Sequence, residues 1–487
     1  MTPEHPLDAI SPLDGRYPFL DPEAAAALGR FLSEGAALRY QIRVERALLA
    51  ELEARGVAPR GSSAAFAEIA DTIPAAEIYA EERRIGHNIR ALVNCVRARL
   101  APEFRGCVHL FATSNDVTDT ARAAALRDVT REVVLPEVAS LLALLLEWAS
   151  AHADTPQIGR THGRYAEPIT VGYWLANHAD RLGRRLDRVV EAAANLRGKL
   201  AGAVGSRSAL ALRWPAEAAE VERSALARLG LRPSELSVST QVVHPEYVLD
   251  FAHALVSTMS VLANLADDFR HLMRSEVEEI RQKHDPVRVG SSTMPHKVNP
   301  ADFENVTSFW KAFLPRVLTV YLDQVSLHQR DLTNSASMRF LGEIVAGLVY
   351  ATRRLRDAIG RTEVNPEALR AHLERSAPDV IAEPLYIALA LSGERDPYDT
   401  SRKLRESAKA RGESLLDHLR STGEGRAVLE RLDPAHREVL LHPESYVGDA
   451  PARTRAVCEF WGKRLRSPDL RRALERPDES KTLVAGP

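Results

Sequence analysis

The chain has 487 residues, of which 45% are hydrophobic and 27% are charged, and its formal net charge is -2. This length exceeds what one hydrophobic core usually holds, so more than one structural region is expected, and the nearly neutral charge gives no reason to expect nucleic-acid binding. The three cysteines show no CxxC or Cys/His spacing, which argues against a disulfide scaffold and structural zinc and fits a reducing compartment.

Long helices dominate the elements predicted along the chain. Apolar residues at helical spacing predict helices over 22–55, 119–153, 173–200, 246–281, 301–322 and 344–359. Two-residue alternation is nearly absent, so strands should be few and short. Helices well above the usual length of about three turns are typical of a central bundle. We therefore predict an all-α fold.

The predicted helices divide the chain into an N-terminal region over 1–112, a central bundle over 113–362 and a C-terminal region over 363–487. Residues 1–10 lack a basic segment followed by an apolar one, so no secretory signal is predicted. The most apolar stretch, 133–149, is interrupted by charged residues and is too short for a bilayer-crossing helix. We expect a cytoplasmic protein that binds neither membrane nor nucleic acid.

Three polar or glycine-containing stretches, 113–118, 159–168 and 286–300, separate the long helices. Binding and catalytic residues concentrate on loops held by a rigid scaffold, so we expect the functional site there. The third loop contains Gly-Ser-Ser-Thr-Met-Pro-His-Lys-Val-Asn-Pro from Gly290 to Pro300. It joins a glycine hinge to hydroxyls, a cation and an amide, a combination that can close over an anion.

The loop from Gly290 to Pro300 matches the signature of the fumarase/aspartase superfamily residue for residue, and the chain resembles its adenylosuccinate lyase branch. Ser-Pro-Leu-Asp-Gly-Arg-Tyr at 11–17 resembles the N-terminal motif of that branch, and Arg-Asp-Leu-Thr at 330–333 resembles its phosphate-binding segment. The other segments that match its site are 113–114, 161–163, 202–205 and 240–241. The similarity covers nearly the whole chain.

The resemblance implies three largely helical domains and a homotetramer whose central helices form a shared bundle, with active sites assembled from several subunits. It implies a carbon-nitrogen lyase that eliminates fumarate from an N-substituted aspartate, a small-molecule substrate. In this reaction Ser292 is the base and His162 is the general acid. No metal or organic cofactor is indicated, and the histidines show no ligand spacing with carboxylates.

The residue types also suit such an elimination on chemical grounds. Removal of a proton beside a carboxylate generates a dianion, which requires cationic and hydrogen-bonding groups where the charge develops. A serine base requires a pKa depressed by neighbouring donors and by Lys297 after loop closure. The ordinary histidine pKa of about 6.5 permits proton donation by His162 near neutrality. The residues predicted to orient the substrate carboxylates are Thr113, Ser114, Thr161 and Gln241, and those predicted to hold the dianion are Lys297 and Asn299. The resemblance adds Ser291 and Met294 to the predicted substrate-binding residues.

A phosphate cradle is the second predicted feature. Guanidinium groups bind phosphate through two parallel hydrogen bonds, and hydroxyl groups can complete the shell. Exposed arginines are otherwise solvated or ion-paired. The predicted cradle consists of Arg16, Tyr17, Arg330, Ser335 and Arg339. His87 and Asn88 match a pair of family site residues, although a surface histidine on a helix explains His87 equally well.

Several positions depart from the adenylosuccinate lyase pattern, and they concern the leaving group. The family continues with Gln after Thr-His-Gly, where this chain has Arg164, and it has acidic residues where this chain has Asn88 and Asn115. Arg207 also stands where relatives commonly have other residues. The phosphate cradle favours adenylosuccinate and its imidazole-carboxamide analogue, which we prefer. The departures favour another substrate, such as a hydrazino- or nitro-succinate of specialised metabolism.

Two hypotheses without catalysis also follow from the sequence. A superfamily scaffold reused as a structural protein would lose Ser292, Lys297 and His162, and all three are present. A regulatory protein that binds a phosphate ligand would keep the arginines of the cradle but would not require Ser292. The sequence therefore favours an enzyme.

Overall fold

The computed structural model describes residues 8–470, apart from the side chains of residues 377 and 378. Most of the segment 1–10, on which the predicted location partly rests, lies outside the described residues. The described chain is largely helical, as predicted, with two short antiparallel pairs of strands.

The α-helices, numbered in chain order, are α1 Arg16–Leu20, α2 Pro22–Leu32, α3 Glu34–Ala54, α4 Ser62–Ala70, α5 Ala75–Ile85, α6 Asn88–Arg99, α7 Pro102–Arg105, α8 Ser114–Val129, α9 Leu135–Ala151, α10 Val171–Ala194, α11 Ser208–Arg213, α12 Ala218–Ala227, α13 Glu246–Leu272, α14 Ala301–Phe313, α15 Arg316–Leu322, α16 Leu341–Gly360, α17 Pro366–Val380, α18 Ala382–Leu391, α19 Pro397–Ala410, α20 Leu415–Ser421, α21 Gly423–Arg431, α22 Pro434–Leu441 and α23 Ala450–Leu465. The strands are β1 Pro156–Thr161, β2 Arg164–Thr170, β3 Ile280–Gln282 and β4 Thr362–Val364.

The central bundle is formed by α9, α10, α13, α14 and α16, which pack against one another. Along α10 the residues Leu175, Ala179, Leu182 and Leu186 recur in steps of three and four and are all 0% exposed. Such spacing places them on one stripe of the helix, which faces the core. Next to this stripe, Gly183 packs against the Trp461 ring of α23. A Cβ at this glycine would lie 2.4 Å from the indole ring, so a larger residue does not fit here.

Several of the predicted helices are shorter or divided, and the one expected over 173–200 ends at Ala194 of α10. The helix expected over 22–55 is interrupted at Ser33, whose extended backbone ends α2 and whose Oγ accepts the Ala36 N–H at 3.2 Å to cap α3. The helix expected over 301–322 is divided into α14 and α15 before Arg316 by Pro315, which has no N–H to continue a helix. The helix expected over 246–281 ends at Leu272, and the chain then turns into β3.

The stretch 159–168, expected as a polar loop, is a β-hairpin. Strands β1 and β2 pair from Pro156↔Thr170 to Thr161↔Arg164, with a bulge between Ile158 and Arg160. The two-residue connection of the hairpin, His162-Gly163, has positive φ at both residues, as in a type I′ turn. Strands β3 and β4 form the second pair.

One hydrophobic core extends from Ala24 to Leu369 and includes Trp461 and Leu470, and a second core lies between Ile381 and Leu440. The division into 1–112, 113–362 and 363–487 stays a prediction. The expectation that the apolar stretch 133–149 is too short for a bilayer-crossing helix is wrong, because it belongs to a helix of 38 residues, Ser114–Ala151. Half of its most apolar window is buried inside the protein, as expected for a bundle helix.

Candidate active site

The first site segment begins α8. Thr113 is the N-cap, and its N–H donates to Asp116 Oδ2 at 2.9 Å, which is one half of a capping box. The next residue, Ser114, opens the helix, and its hydroxyl has no partner among residues 8–470. The unpaired N–H groups and the dipole of a helix N-terminus attract anions, so this position suits a substrate carboxylate.

A buried ion pair joins this segment to the glycine-containing loop 202–205. Lys199 and Asp116 are 1% and 0% exposed at their side chains. The Asp116 carboxylate also accepts the N–H groups of Ala201 and Gly202 at 3.0 Å, and Lys199 Nζ donates to the Gly202 carbonyl at 2.9 Å. The start of α8 and the beginning of the loop are therefore held by the same two charges.

The other end of this loop is held by Gly205 and Arg207. Gly205 has φ +74°, and a Cβ there would lie 2.1 Å from the Ser239 carbonyl oxygen. Arg207 Nη1 donates to Glu222 Oε2 at 2.9 Å and to the Ser237 carbonyl at 2.5 Å. Burial raises the pKa of the Glu222 carboxyl, and the pair with Arg207 opposes this rise. Arg207 was expected to face the leaving group, whereas its guanidinium is turned toward Glu222.

Gln241 lies between two other predicted segments. Its side-chain Oε1 accepts a hydrogen bond from Asn115 Nδ2 at 3.0 Å, and its backbone N–H donates to the Gln329 carbonyl at 3.2 Å. These contacts bring the start of α8, Gln241 and the segment preceding Arg330 together in one chain. With its oxygen occupied by Asn115, the amide of Gln241 is left with its N–H groups for a ligand.

The loop at Arg330 is organised by its own side chains. Arg330 has φ +98° and donates through Nη2 to the Asp323 carbonyl at 2.8 Å. Asp331 accepts the Leu327 N–H at 3.1 Å, the Thr333 N–H at 3.0 Å and the Thr333 hydroxyl at 2.5 Å. These hydrogen bonds, that of the Thr333 hydroxyl foremost, lower the pKa of Asp331 to about 2. The carboxylate therefore stays charged at physiological pH and maintains these hydrogen bonds within the segment 327–333.

The predicted phosphate cradle is not assembled within one chain. The Tyr17 ring packs against Phe309 and Tyr350, with ring centroids 4.8 and 5.4 Å apart. Arg16 beside it is exposed. Ser335 and Arg339 are also exposed, and no hydrogen bond connects them with Arg16 or Arg330 in the part of the chain that the structure describes. The cradle stays a prediction.

His162 occupies the turn of the hairpin β1–β2. Its φ is +53° and that of Gly163 is +73°, so both turn residues are left-handed. His162, Thr161 and Arg164 are exposed, and Arg164 pairs with Thr161 across the hairpin. Thus His162 lies at a tight hairpin turn. The turn projects the imidazole outward, where it can meet a substrate.

The loop 286–300, called the serine loop below, is held by hydrogen bonds between its own residues. Asn299 Nδ2 donates to the Gly290 carbonyl at 3.0 Å, and a Cβ at Gly290 would lie 2.4 Å from the Lys297 carbonyl oxygen. Ser291 Oγ accepts the Met294 N–H at 3.1 Å. In this arrangement Asn299 and Ser291 hold the loop, and their predicted contacts with substrate stay predictions.

Ser292 and Lys297 lie on the exposed side of this loop. Both are exposed, as is Met294. Within the described ranges the Ser292 hydroxyl has no hydrogen-bond partner. A base needs an accessible oxygen, and the exposed hydroxyl of Ser292 provides one for a ligand that binds at this loop.

His87 and Asn88 begin α6. His87 Nδ1 accepts the Arg90 N–H at 3.2 Å and caps the helix, and Asn88 Oδ1 accepts the Ile89 N–H at 2.8 Å. Both side chains are exposed. Because Nδ1 of His87 is an acceptor here, Nε2 is the ring nitrogen left for a ligand.

Comparison with known proteins identifies the family. A family model described as lyase matches residues 40–311, and one described as adenylosuccinate lyase C-terminal matches residues 326–438. Adenylosuccinate lyase of Pyrococcus abyssi is 30% identical over 448 residues, which cover 91% of this chain and 96% of that protein. The same enzyme of Methanothermobacter thermautotrophicus is 31% identical over 429 residues, covering 87% and 93%. The chain belongs to the adenylosuccinate lyase branch of the fumarase/aspartase superfamily.

Solved structures show the same fold as this lyase. A 3-carboxy-cis,cis-muconate lactonizing enzyme from Pseudomonas putida matches with a TM-score of 0.77 at 26% identity and covers 91% of this chain and 98% of its own. A fumarate lyase from Mesorhizobium sp. BNC1 matches with a TM-score of 0.76 at 22% identity, covering 89% and 97%. The predictions of an all-α fumarase/aspartase-like fold and of a fumarate-releasing lyase are confirmed.

Several residues that organise the site of this lyase were not singled out from the sequence. Asp116 could have been found, because Thr113-x-x-Asp116 is a capping-box pattern. Lys199 offered a weaker signal, since lysine is scarce in this arginine-rich chain. Glu222 offered none, because nothing in the order of residues shows that a glutamate is buried.

Proposed function

We propose that this lyase eliminates fumarate from adenylosuccinate and from its imidazole-carboxamide analogue in purine biosynthesis. The observation that carries the proposal is that the family model described as adenylosuccinate lyase C-terminal covers residues 326–438, which include the predicted phosphate-binding segment 330–333. The Gln241 N–H donates to the Gln329 carbonyl at 3.2 Å, which brings this segment beside a predicted carboxylate-binding residue. Its small-molecule substrate and cytoplasmic location are part of the proposal.

The proposed reaction begins with the substrate carboxylates at the N-terminus of α8. Hydrogen-bond donors there and at Gln241 orient them without neutralising the base. After loop closure Ser292 removes the proton from the carbon beside one carboxylate, and Lys297 stabilises the dianion that forms. The electron pair forms the carbon-carbon double bond of fumarate as the carbon-nitrogen bond breaks. His162 donates a proton to the departing nitrogen.

A homotetramer with shared sites is also proposed. The exposed turn of His162 and the exposed serine loop leave the reacting groups uncovered in one chain, and exposed apolar side chains follow one side of α15 and its flanks. Large exposed apolar surfaces mark association sites. The side chains are Leu314 at 36%, Leu318 at 61%, Tyr321 at 45%, Leu322 at 73% and Val325 at 80% exposure.

The proposed substrate is tested by fumarate absorbance with adenylosuccinate and a panel of other N-substituted aspartates and succinates. We expect release from adenylosuccinate with the highest kcat/KM of the panel. Fumarate from a hydrazino- or nitro-succinate, with none from adenylosuccinate, would reject the substrate and keep the reaction class.

Gel filtration tests the tetramer separately, and an active monomer at low concentration would contradict the shared sites.

A further inference from the structure

A fully buried carboxylate, that of Glu279, contacts the hairpin β1–β2 and precedes the strand β3 that leads toward the serine loop. Glu279 is 0% exposed at its side chain, and its two oxygens accept Arg160 Nη1 at 3.1 Å and Nη2 at 2.6 Å. Gln157 Nε2 donates to it at 2.8 Å, and His372 Nδ1 lies 2.8 Å from it. Buried carboxylates require such pairing, and the two-pronged contact with arginine fixes orientation as well as distance.

Glu279 and its side-chain partners come from three parts of the chain. Gln157 and Arg160 lie on β1, and Arg160 precedes His162 by two residues. His372 lies on α17, which packs across both strands of the hairpin. Glu279 itself directly precedes β3, the strand that leads into the serine loop.

The backbone around Glu279 is fixed and locally strained. Its carbonyl accepts the Asn365 N–H at 2.9 Å beside the pair β3–β4. The preceding residue, Glu278, has φ +49°, a left-handed conformation that is unfavourable for a residue other than glycine. Such strain persists where surrounding contacts determine the conformation, and here it turns the Glu279 side chain into the protein.

The hairpin is held from its other strand as well. The Arg160 guanidinium lies over the Tyr165 ring, 5.3 Å from its centroid, and the His372 ring lies 6.2 Å from the same ring. Tyr165 and Arg160 are partners in the strand register beside the turn. Arg160 is thus held by Glu279 on one side and by Tyr165 on the other, next to the turn that carries His162.

The stem of the serine loop is anchored beside the same group. Lys283 follows β3 directly, and its N–H donates to the Arg361 carbonyl at 2.8 Å. At the far end of the loop, Asp302 accepts Arg361 Nη2 at 2.7 Å and Arg354 Nη1 at 3.1 Å. The loop is therefore anchored at both ends, and β3 connects its first end to Glu279.

We propose that Glu279 is a positioning residue for the elimination and acts through Arg160 to fix the His162 turn. This inference rests on the proposed function. Glu279 is closed to solvent and contacts no predicted site residue, so it does not touch the substrate. Its loss would displace the imidazole from the departing nitrogen while the carboxylate-binding surface at α8 stays intact. The effect therefore falls on kcat, with little change in KM.

The test is a pair of Glu279→Gln measurements, in the unaltered enzyme and in the His162→Gln background, with adenylosuccinate as substrate. We expect kcat to fall by about 30-fold in the unaltered background, less than the about 10²–10⁴-fold that a general acid contributes because the imidazole is displaced and not removed, with KM changed by less than about threefold. In the His162→Gln background the same substitution should change kcat by less than about twofold, because two residues that act as a unit are not additive. The matched control is Glu137→Gln, which removes the carboxylate that accepts Arg353 Nη1 at 2.5 Å and Arg356 Nη1 at 2.7 Å, and its effect on kcat should be small in both backgrounds.

An equal factor of decrease in kcat in both backgrounds would overturn the proposal. An unchanged kcat in the unaltered background would overturn it as well. If Glu279→Gln fails to fold, Arg160→Lys keeps the charge but loses the two-pronged contact, and the same non-additivity with His162→Gln is expected. Absence of fumarate release by the unaltered enzyme would instead reject the proposed function, so the two failures are distinguishable.

Discussion

Lys199 and Asp116 form an ion pair inside the protein, with side chains 1% and 0% exposed. Asp116 holds Thr113 at the start of α8 and Gly202 in the adjoining loop through backbone N–H groups. One buried pair therefore sets the relative position of two segments of the candidate active site.

Lys199→Met should destabilise the protein by about 3–5 kcal/mol, because it leaves the Asp116 charge buried without its partner. Fumarate release should fall with it, because Lys199 also donates to the Gly202 carbonyl and its loss leaves Asp116, which holds Thr113 and Gly202, without its cation. Thermal unfolding and the fumarate assay measure the two effects. The double variant Asp116→Asn with Lys199→Met should recover part of the stability, because no unpaired charge remains. A double variant less stable than Lys199→Met would contradict this interpretation.

Gly205→Ala should destabilise the protein by about 3 kcal/mol, because the added methyl group overlaps the Ser239 carbonyl in a packed region. The matched control is Gly202→Ala. Both glycines have positive φ, but a Cβ at Gly202 meets nothing within 4 Å. The control should therefore cost only the backbone strain of about 1–2 kcal/mol. Equal shifts of Tm for the two variants would show that the contact with Ser239 is unimportant.

The stability of the folded protein should depend on pH through Glu222, in a direction that follows from its raised pKa. Burial raises the pKa of its carboxyl above the ordinary value of 4.5, so the folded protein binds more protons than the unfolded chain above that pH. The stability of the unaltered protein relative to Glu222→Gln should therefore fall as pH rises from about 4.5 to the raised pKa. Outside this window the difference should be constant. Thermal unfolding of both proteins across pH measures it, and a difference that grows with pH would contradict the sign.

Leu322→Glu should weaken the assembly, because a charge on an apolar contact face must be desolvated in every interface that contains it. We expect a smaller particle in gel filtration and a parallel loss of fumarate release. Leu391→Glu is the control, since this leucine is 68% exposed and its helix, α18, packs against α19 and α22. A tetramer that is unchanged in Leu322→Glu would place the contact on another face.

The sequence predicted the helical fold well, because apolar residues such as Leu175, Leu182 and Leu186 recur at helical spacing along the bundle. The helix boundaries were less accurate. Ser33 was not recognised as a cap, since serine is also common within surface helices. The hairpin at 156–170 was missed because short paired strands give almost no periodicity of their own.

The site residues were predicted from motifs, and their arrangement depends on contacts between distant segments. Asn115 precedes its partner Gln241 by more than a hundred residues, so no local pattern shows that one orients the other. Arg207 was interpreted as a leaving-group contact because it follows a site motif, whereas its partner Glu222 could be found only in the folded chain.

The most direct test of the account is fumarate release by Ser292→Ala, measured with adenylosuccinate beside the unaltered enzyme. Thr293→Ala is the matched control, because it removes the neighbouring exposed hydroxyl of the same loop. We expect Ser292→Ala to lower kcat by a factor of about 10²–10⁴, the contribution of a proton acceptor, while Tm stays unchanged. The kcat of Thr293→Ala should stay within about twofold of that of the unaltered enzyme. Fumarate release by Ser292→Ala at the unaltered rate would contradict the assignment of the base and the mechanism built on it.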